Sequence, residues 1–119
     1  MIIKTLSETA GFRAGDASSL RELLHPAKEA LAIGYSLAHA VVAAGRRTLP
    51  HRLKQAEVYY ILEGRGRVSV GDETAEVGPG QAVYIPPRTV QSIEAIGPDD
   101  LAFLCLVDPA WTPEAEEIL

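Results

Sequence analysis

The sequence predicts an all-β protein, a sandwich or barrel built from short strands. From Pro50 to Val107 the chain runs as short segments rich in β-branched and aromatic residues, of which EVYYIL at Glu57–Leu62 is the clearest. Gly/Pro turns punctuate these segments at regular intervals. One pair of segments, Arg67–Val70 and Glu73–Val77 around Gly71-Asp72, reads as a hairpin.

Taken in order, Met1–Ala17 holds a short apolar start and then Gly11, Gly15 and Asp16, which read as loop. Ser19–Pro26 fits two readings. Leu20, Leu23 and Leu24 have helical spacing, while alternation puts Leu20, Glu22 and Leu24 on one face of a strand; Pro26 ends either. Ala30–Ala44 is equally open by pattern, because its alanines favour helix and Ile33, Tyr35, Val41 and Val42 favour sheet. Beyond the hairpin, Gly78-Pro79-Gly80 makes a corner and Ala82–Ile85 is a strand stopped by Pro86-Pro87. Val90–Ile96, a Gly97–Asp100 turn and Leu101–Val107 complete the sheet. In the tail, Asp108–Leu119, the acidic EAEE stretch is expected to form one helical turn.

Length and charge bound the function. A chain of 119 residues is expected to make one domain, spanning 1–119 with a core at about 30–107, an N-terminal arm and a tail. A net charge of −5 with no concentrated basic face argues against nucleic-acid binding. The most apolar run, Ala30–Gly45, is interrupted by Gly34, Ser36 and His39 and is too short to cross a membrane. One cysteine, Cys105, fits a reducing compartment, so a cytoplasmic location is expected.

The most informative stretch is Gly45–Gly64, GRRTLPHRLKQAEVYYILEG. Its order of Gly45, His51, Leu53, Glu57 and Gly64 resembles the first motif of the cupin family, G-x5-H-x-H-x3/4-E-x6-G, with Leu53 in place of the second histidine. Gly78–Ile93, GPGQAVYIPPRTVQSI, resembles the second motif, with Gln91 in place of its histidine. The resemblance covers Tyr35–Val107. It implies a small single-domain cupin of the conserved-barrel type, a double-stranded β-helix or jelly roll, with altered metal-ligand motifs. It also makes Ala30–Ala44 a strand.

The resemblance further implies a divalent transition metal, iron, manganese, nickel, copper or zinc, held at the carried-over positions His51, Glu57 and Gln91. Leu53 cannot coordinate, and Gln91 offers only a neutral amide oxygen. A second nitrogen would come from His39 if its face, shared with Tyr35, Leu37 and Val41, points inward. The alternative is a core histidine bonded to a backbone carbonyl, and the sequence leaves both open. Glu57, if not a ligand, needs a cation such as Arg88. Glu57 and Tyr59, two residues apart on one strand face, are the candidate proton-transfer groups. Trp111 is expected to cover a barrel end or a dimer seam.

Two functions follow. The first is a metal-binding cupin acting on or binding a small polar molecule in the barrel interior. The second is a ligand-binding or sensory module without an essential metal, favoured by Leu53 and Gln91. Small barrels of this kind also pair through sheet faces or exchanged N-terminal strands, so a homodimer is expected.

Overall fold

The computed structural model describes residues 1–119. Eleven strands follow one another: β1 (Phe12–Arg13), β2 (Ser19–Leu24), β3 (Ser36–Val42), β4 (His51–Leu53), β5 (Ala56–Glu63), β6 (Gly66–Val70), β7 (Glu73–Val77), β8 (Ala82–Ile85), β9 (Gln91–Ala95), β10 (Leu101–Asp108) and β11 (Glu116–Ile118). They form a six-stranded sheet in the order β1-β2-β3-β10-β5-β8 and a five-stranded sheet in the order β11-β4-β9-β6-β7. All the strand pairings are antiparallel. The two sheets face each other as a jelly roll, as expected.

The ambiguous Ser19–Leu24 segment is a strand, paired to β3 of its own chain. Within Ala30–Ala44 only Ser36–Val42 is extended in a ladder; Ala30–Tyr35 has no regular structure. The EAEE stretch departs from expectation. A 3-10 turn occupies Pro113–Ala115, and Glu116–Ile118 leaves it as a strand, because the open edge of β4 supplies ladder partners for its backbone.

Alternation sorts the side chains. On β5, Glu57, Tyr59 and Ile61 are buried while Tyr60 and Leu62 are exposed. One end of the sandwich is solid: Ile61, Leu101 and Phe103 from the larger sheet meet Val68, Ile93 and Ala95 from the smaller one. Side chains buried as completely as Ile61 and Phe103 each stabilise the fold by roughly 1.5–3 kcal/mol. The motif glycine Gly64 has φ +81°, and a Cβ there would collide with the Asp100 carbonyl oxygen, so the turn into β6 needs glycine.

The other end is hollow. Successive inward positions on β3 carry Ser36, Ala38 and Ala40, and these small side chains leave a cavity of about 270 Å³ beneath the larger sheet.

Candidate functional site

His51 and Gln91 stand opposite each other in the β4–β9 ladder, both buried. Their parity points them at the larger sheet, where Glu57 and Tyr59 project from β5. Gln91 bridges the two sheets. Its Nε2–H donates to Glu57 Oε1 at 2.9 Å, and its Oε1 accepts from the Tyr59 hydroxyl at 2.5 Å. The Tyr59 ring leans on Phe103, with centroids 4.6 Å apart. Both ends of the amide are therefore engaged, which fixes which way it points.

Glu57 is 6% exposed and has no cation beside it. Arg88 is exposed, so the arginine partner considered from sequence is not there. Burial pushes the Glu57 carboxyl up to about 8; the Gln91 hydrogen bond works against that rise, and the nearby Asp16 and Glu116 carboxylates add to it. At neutral pH the group is mostly a carboxylic acid. Oε1 accepts from Gln91, so the proton sits on Oε2, which makes no hydrogen bond within the protein. Burial likewise raises the Tyr59 hydroxyl and the Cys105 thiol well above their ordinary values, so both keep their protons.

His51 makes no hydrogen bond with this trio. Its Nδ1–H donates to the Leu49 carbonyl at 2.8 Å, leaving Nε2 directed at Asp16 Oδ2, 3.6 Å away. Asp16, read from sequence as loop, is fixed there by both the amide and the hydroxyl of Ser18 on Oδ1. The backbone carbonyl of Asp16 also accepts from Leu49 N–H at 2.7 Å. Glu116, on β11, lies near enough for His51 to offset part of the rise that burial imposes on its carboxyl.

His39 does not join them. Inward positions on β3 are the even ones, and His39 lies on the outer face with Val41 and Arg21, where burial and then Arg21 lower its pKa. That corrects the candidate ligand set to His51, Glu57 and Gln91.

Trp111 lines the cavity at the hollow end of the barrel. Its backbone is held by Ser36 Oγ, which accepts from Trp111 N–H at 2.9 Å, and by His25 Nε2–H, which donates to the Trp111 carbonyl at 2.7 Å. The indole N–H donates to Glu116 Oε2 at 3.2 Å. Cys105, opposite Tyr59 in the β10–β5 ladder, lines the same cavity.

As arranged here, the donors do not suit a metal ion. Leu53 takes one ligand position, the Gln91 oxygen is committed to Tyr59, and nowhere do three His, Cys, Asp or Glu side chains gather closely enough to ligate one ion. The arrangement instead offers a buried carboxylic acid on the wall of a cavity, positioned by a neutral amide.

A family model described as "Cupin domain" matches residues 38–107. An uncharacterised protein of Methanocaldococcus jannaschii is 45% identical over 105 residues, covering 87% of this chain and 83% of that protein. Among solved structures, the polyketide cyclase RemF from Streptomyces resistomycificus superposes with a TM-score of 0.78 at 22% identity, over 91% of this chain and 79% of that one. Oxalate decarboxylase from Bacillus subtilis gives 0.82 at 22% identity, over 100% of this chain and 33% of that one. A protein described as a predicted oxalate decarboxylase from Thermotoga maritima gives 0.80 at 23%, over 91% and 99%. At such identities the structural likeness speaks to the fold.

Proposed function

The chain belongs to the cupin family, and from that premise we propose that its barrel binds a small organic molecule against the Glu57 carboxyl without needing a metal ion. One observation carries the reading. Glu57 is buried, has no cation, and keeps one oxygen free on the wall of a cavity of about 270 Å³. Structural neighbours named as a polyketide cyclase and as oxalate decarboxylases support a small-molecule role. With a pKa of about 8, Glu57 can both give and take a proton near neutral pH, so it is our candidate for acid–base work on an occupant. Gln91 and Tyr59 position it.

A thermal-shift screen of a small-molecule library tests this, run on the parent and on Ala38→Leu, which fills the cavity. Occupants should raise the melting temperature of the parent alone, since a ligand that binds only the folded state stabilises it. Equal shifts in both proteins, or none in either, would refute the reading.

The metal-binding reading is kept as second because of one feature. The Leu49 carbonyl holds the His51 Nδ1 proton, which leaves Nε2 as the ring's coordinating nitrogen. Metal binding would require Gln91 Oε1 to leave Tyr59. Elemental analysis beside His51→Ala tests it: near-stoichiometric metal in the parent, lost in the variant, would establish a metal site.

We also propose a homodimer through the outer face of the larger sheet. Tyr60, Leu62 and Tyr84 are exposed there, and Leu104 and Leu106 are half-buried beside them. A cytoplasmic location is proposed on the strength of Cys105, buried and unpaired. No helix is long and apolar enough to cross a membrane.

A further inference from the structure

On the outer face of the larger sheet, unpaired cations gather at one place. Arg13 stands opposite Ser19 in the β1–β2 ladder, and Ser19 stands opposite Val41 in the β2–β3 ladder. Leu20 and Glu22 of β2 face the cavity, so alternation puts Arg13, Ser19 and Val41 in a row on the other face. β3 ends at Val42, and the turn after it, closed by Arg46 N–H on the Ala43 carbonyl, brings Arg46 and Arg47 to the end of that row. Together these side chains line a depression of about 320 Å³. Arg13 also borders the interior cavity, so the two spaces adjoin at β1.

The charge here is uncompensated. Arg13, Arg46 and Arg47 form no ion pair, and no acidic residue lines the depression. Other arginines have partners: Arg52 pairs with Glu117, Arg65 and Arg67 with Glu76, and Arg21 donates to the Leu6 carbonyl. Arg88 borders a different depression, which Glu114, Glu116 and Glu117 line. The acids that approach the arginine turn are committed elsewhere. Glu94, opposite Arg47 in an isolated bridge, holds Arg67 at 3.0 Å, and Asp100 accepts the Ala44 N–H at 2.9 Å. Asp16 accepts from Ser18 on one oxygen and faces His51 with the other. In a chain of net charge −5, three cations gathered without an acid repel one another, and an anion among them relieves that cost.

The turn that presents Arg13 is fixed. Ala17, which also lines the depression, has φ +76°, left-handed backbone that a residue with a side chain rarely adopts. Its N–H donates to the Ala14 carbonyl at 3.0 Å, and Ala14 N–H donates to the Ser18 carbonyl at 2.8 Å, which closes the hairpin with Arg13 opposite Ser19.

The guanidinium fork matches both carboxylate and phosphate. A phosphate group brings three acceptor oxygens and close to two negative charges, so it answers three arginines better than a carboxylate does. We propose that this depression is a binding site for a phosphate group, free or carried on a small organic molecule, with the three guanidiniums and the Ser19 hydroxyl donating to its oxygens.

Calorimetric titration at pH 8 and low ionic strength, where phosphate is a dianion and screening is weak, tests this. The probes are inorganic phosphate, phenyl phosphate and acetate. Arg13→Ala, Arg46→Ala, Arg47→Ala, Lys54→Ala and Ala38→Leu are compared with the parent; the four substituted cations are all exposed. One phosphate per chain is expected in the parent. Binding should be roughly tenfold weaker in each arginine variant, the scale of one charge-assisted hydrogen bond, and unchanged in Lys54→Ala and Ala38→Leu. Acetate should not saturate. Phenyl phosphate binding tighter than inorganic phosphate would support an organic phosphate as the ligand, and equal affinity would support free phosphate. No saturation with either phosphate would overturn the site. So would an equal loss in Lys54→Ala and the arginine variants, because net charge alone would then explain the binding. Neither result bears on the cavity, whose occupancy is read separately by Ala38→Leu in the thermal-shift screen.

Discussion

Gln91 Nε2 lies 2.9 Å from Glu57 Oε1, so the position that resembles a metal-ligand histidine instead supports a buried carboxylic acid. Tyr59 completes the arrangement by fixing the other end of the amide. Replacing Gln91 by Leu would leave Glu57 Oε1 and the Tyr59 hydroxyl buried without partners. The expected loss is about 2–4 kcal/mol of folding stability, read from urea unfolding, since each unsatisfied buried group costs roughly 1–3 kcal/mol. A loss below ~0.5 kcal/mol, the scale of an ordinary surface change, would mean that the bridge does not hold the sheets together.

Stability should fall as pH rises. The folded-state pKa of Glu57, about 8, lies above its ordinary value of 4.5, so between those values the folded protein holds a proton that the unfolded chain has released. The stabilisation is complete below the lower value and is lost as pH rises through the upper one. Glu116 is shifted in the same direction and adds to the slope. Thermal melts at pH 5, 7 and 9 should show a steady decline in the parent and a flatter profile in Glu57→Gln. An unchanged slope in the variant would place the titration elsewhere.

If Leu53 and Gln91 are what deny the barrel a metal, restoring both histidines should change that. The Leu53→His/Gln91→His double variant is expected to take up a divalent transition ion near stoichiometrically, measured by elemental mass spectrometry after soaking and desalting. A folded double variant that takes up none would mean that His51, turned toward Asp16, is not available as a ligand.

The exposed aromatic face predicts assembly. Light scattering at micromolar concentration should give a dimer mass for the parent and a monomer mass for Tyr60→Glu/Tyr84→Glu, because charge on that face opposes its burial. A monomeric parent would contradict the proposal.

Much of this barrel was legible in the sequence. The run from Glu57 to Val107 gave its strands because its segments are rich in β-branched and aromatic residues and Gly or Pro marks the turns. The motif spacing singled out His51, Glu57 and Gln91, which the fold brings to one region. β3 was harder for a physical reason. Its inward residues Ser36, Ala38 and Ala40 are smaller than its outward Leu37, His39 and Val41, since the inward face borders a cavity, so hydrophobicity does not reveal which side faces in. Asp16, Trp111 and Glu116 were missed as site residues because they come from the arm and tail, and only tertiary pairing brings them to the barrel mouth. The clue available was compositional: a lone tryptophan amid prolines in a tail that β4 can pair.

Native mass spectrometry of the untagged protein, sprayed from a volatile neutral buffer beside Ala38→Leu and His51→Ala, tests the central claim most directly. The account predicts that a molecule found by the thermal-shift screen binds once per chain in the parent, not in Ala38→Leu, and that the mass without ligand carries no transition metal. A parent mass carrying one transition ion per chain, lost in His51→Ala, together with equal binding of that molecule in parent and Ala38→Leu, would contradict it.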